Sequence, residues 1–339
     1  MSYFKERFNK RLLKNGFKAV IFVLIIAVIL VVISPVFMPK TNKELRDKSA
    51  NGFLAEPTNT IDVLIVGDSE SYSTFIPLQI WNDYGISSYV CGTPSQTLAY
   101  SEDFLRRAFK NQKPKLVVLE TNAIFRKFSL GASIIFRADE LFPIYRYHDR
   151  WKKLSLADFS SEFTSDYIEN DKGYRIDGSV KPVSDSDYMK PSDKKAKMPF
   201  QNKSYLKNIM QLCKDNGAEL MFVSTPSVKN WNCERHNTVQ ELADEFGIEY
   251  VDMNMLKNQV QIDWSCDTRD AGDHLNYTGA AKATAYFGEY LNSKNIFIDH
   301  RNDKNYDSWN QAHKTFLKTV EKSKAQGKND TKIKKTKSL

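Results

Sequence analysis

The sequence predicts a three-layer α/β/α fold with a parallel sheet, set behind one N-terminal transmembrane helix. Three observations predict it. Strand-like and helix-like segments alternate between about residues 61 and 298, the pattern of a parallel sheet covered on both faces. The first strand-like run, Val63-Leu64-Ile65-Val66, has no polar residue, as expected of a strand buried on both sides. Far upstream, Ala19 to Phe37 is apolar and free of charge.

The N-terminal segment, 1–18, carries Lys5, Arg7, Lys10, Arg11, Lys14 and Lys18 against Glu6. The apolar span, 19–38, is long enough for a bilayer core of about 30 Å. A cleaved signal peptide has a shorter apolar region of about 7–15 residues and a small-residue cleavage site, which Ser34-Pro35-Val36-Phe37 does not offer. Basic residues on the N-terminal flank face inward. The expectation is a cell-membrane protein with a cytoplasmic N-terminus and an extracytoplasmic domain. Residues 39–60 are polar with little periodicity and read as a stalk.

The globular domain is expected over 61–298. Strands are predicted over Val63–Val66, Ser88–Cys91, Leu116–Leu119, Glu219–Val223 and Glu249–Asp252. Helices are predicted over Phe75–Tyr84, Thr97–Asn111, Ser204–Asn216, Thr238–Phe246 and Ala280–Leu291. Pro77 stands in a first turn and Gly217 at a helix end. Residues 123–203 break the alternation and read as an insertion rich in aromatics, among them Phe125, Phe128, Phe136, Tyr145, Trp151, Tyr174 and Tyr188. It is a lid, a polymer-binding wall or a structural elaboration. A helical extension is expected over 299–321. The lysine-rich end, 322–339, is expected to be disordered.

The formal charge is +8. Outside the cell this favours anionic envelope polymers or lipid head groups over nucleic acid, for which no reading element accompanies the charge. Four cysteines, Cys91, Cys213, Cys233 and Cys266, form no zinc-type pair of doublets. Disulfides are permitted outside the cell, and Cys233 and Cys266 both fall in loops near the site edge. No cofactor or metal is called for.

Chemistry concentrates at two places. Val63–Val66 runs into Gly67-Asp68-Ser69, which puts a serine at the carboxyl edge of the sheet, where open α/β folds bind ligands. Near the other end, Asp270-Ala271-Gly272-Asp273-His274 sets a histidine beside two carboxylates just before a helix. A hydroxyl needs a base to become a nucleophile, and the base needs a carboxylate to fix its tautomer. Trp231 and Asn276 lie next to these segments and are weaker candidates for substrate contact.

Together the two ends resemble the SGNH/GDSL hydrolase superfamily, over roughly Ile61 to Leu291, and that resemblance implies a flavodoxin-like arrangement. It implies Ser69 as nucleophile and His274 as base. Gly92, in Val90-Cys91-Gly92-Thr93, lies in the order of the oxyanion-hole glycine, and Asn122, in Glu120-Thr121-Asn122, in that of the asparagine. With the Ser69 amide they would hold an oxyanion. The usual Gly-x-Asn-Asp is absent. The family's acid stands three residues before the histidine, which here is Ala271, so the role falls to Asp270 or Asp273; Asp270 is preferred because Gly272 can absorb an extra residue. Membrane-anchored, outward-facing members resemble proteins that move acyl groups on envelope polysaccharides or teichoic acids beside a membrane-bound O-acyltransferase. The rivals are an esterase or lipase for small or lipid esters, and a non-catalytic scaffold.

Overall fold

The computed structural model describes all residues except 1, 46, 128–130, 132–137, 139–141, 160–161, 166, 185–186 and 337–339. Phe128 and Phe136 of the insertion lie outside the described residues. The chain groups into two units, Met1–Glu44 with Ser129–Thr164, and Leu45–Phe128 with Ser165–Leu339.

In the first unit one helix, Ser2–Phe37, contains a stretch, Leu13–Phe37, with a mean hydropathy of 3.3 over its most apolar window. It is long and apolar enough to cross a membrane. Its side chains are exposed rather than packed inside the protein, as for Val28 and Val32. That is the opposite of a soluble core helix. In the same unit Arg150 pairs with Asp158 at 2.8 Å and with Glu44 at 3.1 Å, and Thr41 bridges to Thr164.

The second unit holds a five-stranded sheet: β1 (Val63–Gly67), β2 (Ser88–Gly92), β3 (Leu116–Glu120), β4 (Glu219–Ser224) and β5 (Glu249–Asp252). Every pairing is parallel, and the order is β2-β1-β3-β4-β5. β1, β2 and β3 are buried along their whole length, which is why their apolar runs are unbroken. The helices Leu98–Ala108 and Phe200–Asp215 pack on one another. Pro77–Tyr84 packs with Tyr277–Ser293 and with the C-terminal helix Asp307–Thr336. The chain runs from β1 outward to β2 and then returns to the far side of β1 for β3. The sheet order therefore reverses between β1 and β3, where such folds place their ligands.

Three expectations need correction. The stretch read as a stalk is not free over its second half. Ala50 and Phe53 are buried, and Phe53 sits edge-on to Tyr89 and Phe104. The Glu56 carboxylate takes the Lys172 ammonium at 2.6 Å, both groups buried, with Lys172 also 4.5 Å over the Trp309 ring. One short apolar cluster, Phe53-Leu54-Ala55, in a polar run leaves no periodic signal. The second correction concerns the C-terminus, which is helical through Thr336 instead of disordered from Lys322. Its first half buries Trp309, Ala312, Phe316 and Val320 on one stripe, and lysine, glutamine and alanine, good helix formers, continue a helix already nucleated. Third, the cysteines are all free thiols, so Cys233 and Cys266 do not bridge.

Part of the insertion is structural. Lys172 O accepts the Val90 amide, so this segment lies along the outer edge of β2. At Gly173 (φ +88°) any side chain would collide with the Val90 carbonyl. Further on, residues 177–183 brace the loop before the last helix. Asp177 O accepts from Tyr277 N, Lys181 N donates to Thr268 O, and Lys181 O accepts from Ala271 N.

Candidate active site

Ser69 opens the helix Ser69–Thr74, directly after β1. Asp68 caps this helix, its Oδ1 accepting the Glu70 amide at 3.0 Å. Cap geometry thereby holds Ser69 at the sheet edge, 8% exposed. Asn122 follows β3, across the point where the sheet order reverses, and its Nδ2 donates to Asp68 Oδ2 at 2.9 Å. The topology thus brings residues 54 apart in sequence into one hydrogen bond. Gly92 ends β2 in register with Gly67. A Cβ there would strike the Ser71 hydroxyl and lie 3.2 Å from Asp68 O, so glycine lets β2 close on the serine turn.

His274 and its partner belong to a tight loop. Asp270 Oδ2 accepts from His274 Nδ1 at 2.6 Å, and Asp270 Oδ1 accepts the His274 amide at 2.7 Å. Asp273 Oδ1 is 3.9 Å from the same nitrogen, too far for a hydrogen bond. Ala271 (φ +63°) and Gly272 (φ +84°) are both left-handed, and these two residues turn the chain so that an acid four positions back meets the ring. Thr268 Oγ1 donates to His274 O and accepts the Gly272 amide at 2.8 Å, which closes the turn. Although burial opposes its charge, the amide and ring of His274 hold the Asp270 carboxyl below its usual range. With Nδ1 given to Asp270, His274 Nε2 is buried and has no hydrogen-bond partner among the described residues.

Groups that the sequence reading did not single out surround the two segments, and Asn230 joins them. Glu70, buried beside Ser69, accepts from Asn230 Nδ2 at 2.6 Å, and the same Nδ2 donates to Asp273 Oδ1 at 2.6 Å. Asn230 therefore ties the serine helix to the histidine loop. Burial first, and the charge of Asp68 next, push the Glu70 carboxyl well above its ordinary range; Glu120 is raised for the same reasons. Asp68 pairs with Arg126 at 2.6 Å. Arg235 Nη1 donates to Asn122 Oδ1 at 2.6 Å and to Asn230 O. Glu70, Asp273 and His274 bring one ligand atom each to within 4.8 Å of one another, a spacing that could hold a divalent cation. Glu70 could have been noticed as an acid inside an otherwise buried turn. Asn230 and Arg235 leave no local pattern.

Two candidates are corrected. Trp231 does not offer a ring to substrate. It is 3% exposed, its Nε1 donates to Asp252 Oδ2 at 2.9 Å, and it stands edge-on to Phe125. Asn276 does not face substrate either. Its Oδ1 caps the last helix through Thr278 N and Gly279 N, and its Nδ2 donates to Cys266 O and Ser179 O. All its polar atoms are used in fixing the exit of the histidine loop.

No family model matches the sequence, and no curated protein matches it. Several solved structures are similar. The lipase/acylhydrolase from Enterococcus faecalis shares 12% identity over 69% of this chain and 97% of that one, with a TM-score of 0.34. A GDSL-like lipase from Bacteroides thetaiotaomicron shares 14% over 68% and 88%, with a TM-score of 0.31. An acetyl xylan esterase shares 15% over 68% and 99%, with a TM-score of 0.34. Likeness this distant carries no argument about activity. The parallel α/β assignment rests on the strand order and register above.

Proposed function

We propose that this chain is a membrane-anchored serine acyl esterase or O-acyltransferase of the SGNH type. The observation that carries the reading is the Asp270–His274 pair, with Nε2 left unpartnered, tied through Asn230 to the helix that Ser69 opens. In this reading Ser69 Oγ attacks an acyl carbonyl while His274 Nε2 takes its proton. Asp270 holds the ring tautomer and supports the imidazolium that forms. The missing link from Nε2 to Ser69 is compatible with this, since catalytic hydrogen bonds often tighten only when substrate binds. The amides of Ser69 and Gly92 and the second N–H of Asn122 Nδ2 would receive the oxyanion. His274 then protonates the leaving alcohol. Water, or the hydroxyl of an acceptor, takes the acyl group from Ser69.

The apolar helix Leu13–Phe37 and its basic flank support a cell-membrane anchor with the domain outside. The resemblance to outward-facing SGNH proteins supports a cell-envelope glycopolymer as substrate and a membrane-bound O-acyltransferase as partner. A fluorophosphonate probe tests the chemistry. It should label the purified protein at one site, Ser69→Ala should abolish labelling, and His274→Ala should slow it strongly. Equal labelling of the Ser69→Ala protein would overturn the reading.

A further inference from the structure

We infer that the substrate of this site carries a negative charge, a phosphate or a carboxylate, close to its acyl ester. The inference rests on the acyl-transfer reading and comes from two guanidinium groups that, among the described residues, have no carboxylate in ion-pair contact. Of the other cations around the serine turn, two arginines meet a carboxylate and one lysine a backbone carbonyl. Arg126 pairs with Asp68 at 2.6 Å, Arg269 reaches Asp270 at 3.7 Å and Ser73 Oγ at 2.8 Å, and Lys229 Nζ donates to Asp270 O. The acids are also accounted for. Asp270 serves His274, Asp273 takes Asn230, and Glu70 and Glu120 are carboxyls whose burial favours the neutral form.

Arg235 and Arg175 are left over. Among the described residues neither has a carboxylate within ion-pairing distance. Arg235 gives Nη1 to Asn122 and Asn230, which places it one hydrogen bond from both halves of the site. Among the described residues its Nε and Nη2 make no hydrogen bond, and neither is a buried unpartnered atom. The guanidinium lies 4.7 Å over the Phe125 ring. Arg175 lies 4.2 Å over the ring of Tyr72, which stands on the same short helix as Ser69, and its backbone amide donates to Tyr72 O. An aromatic face fixes the plane of each guanidinium and leaves its edge free. That edge is the fork that binds carboxylate or phosphate through two parallel bonds. A part-buried cation without a counter-ion is costly to hold. Burial and the nearby Arg126 accordingly pull Arg235 below the usual guanidinium range. An anion on the substrate removes that cost and aligns the ester beside Ser69.

The test uses the full-length chain in detergent and three acetyl esters: acetylated glycerol 3-phosphate, O-acetyl-lactate and glyceryl monoacetate. Charge-assisted hydrogen bonds of about 1.5–3 kcal/mol imply a kcat/KM at least about ten-fold higher for the anionic esters than for the neutral one. Added salt should narrow the gap. The Arg175→Gln/Arg235→Gln double variant should bring the anionic-to-neutral ratio to about one, with Arg235→Lys keeping part of it. Any loss from a displaced Asn122 affects all three esters and cancels in the ratio. Whichever anionic ester leads distinguishes phosphate from carboxylate. Calorimetry on the Ser69→Ala protein gives a second readout. Glycerol 3-phosphate or lactate should bind where glycerol does not, and Arg235→Gln should weaken this about ten-fold. An unchanged ratio in the double variant, or anion binding indifferent to Arg235→Gln, overturns the inference. Arg235-dependent anion binding in a protein that releases no acetate from any ester would instead sink the acyl-transfer reading and leave the anion site standing.

Discussion

The two halves of the candidate site are built by different means. The serine half stands on the sheet. β1, β2 and β3 are fully buried, Asp68 caps the helix, and Gly92 closes on the turn, so the strand framework positions Ser69. The histidine half stands on a loop. His274 owes its position to a left-handed pair, Ala271 and Gly272, to the Thr268 hydroxyl, and to backbone bonds from residues 177–183. A scaffold of strands needs few specific side chains to place a residue, whereas a loop needs nearly every one it has. Asn230, through Glu70 and Asp273, and Arg269, through the Ser73 hydroxyl, bridge the two.

The sharpest way to break the histidine half is to remove the charge that orients its ring. Asp270→Asn should lower turnover by about 10⁴ with little change in Tm, the loss seen when a triad carboxylate becomes an amide. Asp273→Asn should cost far less, because Asp273 bonds Asn230 and not the ring. A reversal of the two, measured with any ester the protein turns over, would assign the orienting role to Asp273.

A smaller effect separates loop from sheet by backbone alone. At Gly272 a Cβ would lie 2.8 Å from Val228 Cβ and 2.9 Å from Val183 Cγ1, in a left-handed conformation. Gly272→Ala should therefore cost about 1–3 kcal/mol, or roughly 3–10 °C in Tm for a domain of this size. It should lower kcat as well, while fluorophosphonate access to the serine helix stays open. An unaltered Tm and kcat would mean that the loop is not held as described.

The smallest effect concerns the serine half and pH. The Glu70 carboxyl is raised by burial, so the folded protein keeps a proton that the unfolded chain releases near the ordinary value of about 4.3. Stability contributed by that proton is complete below the unfolded pKa and declines as pH rises through the window up to the folded value. Glu70→Gln removes this slope and keeps an acceptor for Asn230. The variant should gain in Tm relative to the parent as pH rises from about 5 to 8. Parallel curves would show Glu70 to be charged in the fold.

How much of this could be read in advance follows the same division. The five strands were legible because each carries a short apolar or β-branched run set between helix-like segments, and Ser69 and Asn122 were legible as strand-end residues. The Asp270–His274 pair was legible too, being local. The bridge through Glu70, Asn230 and Asp273 was not, since it draws on three segments that only the fold brings together. Trp231 and Asn276 were misread for a related reason. A tryptophan or asparagine beside a strand end looks the same whether it faces a ligand or a buried partner, and Asp252 and the cap of the last helix decide that. Phe53 went unread because one short apolar cluster, Phe53-Leu54-Ala55, sets no period.

The clasp among Glu56, Lys172 and Trp309 sets where the domain can be cut. Composition invites a soluble fragment that starts at Ile61, just before the first strand. Such a fragment discards Phe53 and Glu56 and leaves the Lys172 ammonium enclosed and alone, a defect worth about 3–5 kcal/mol where one member of a buried ion pair is removed. A cut before Asp307 takes Trp309 from the other side of the same ammonium. The foldable portion is wider than the catalytic portion at both ends, so a trimmed protein that proves inactive has first to be checked for whether it folds.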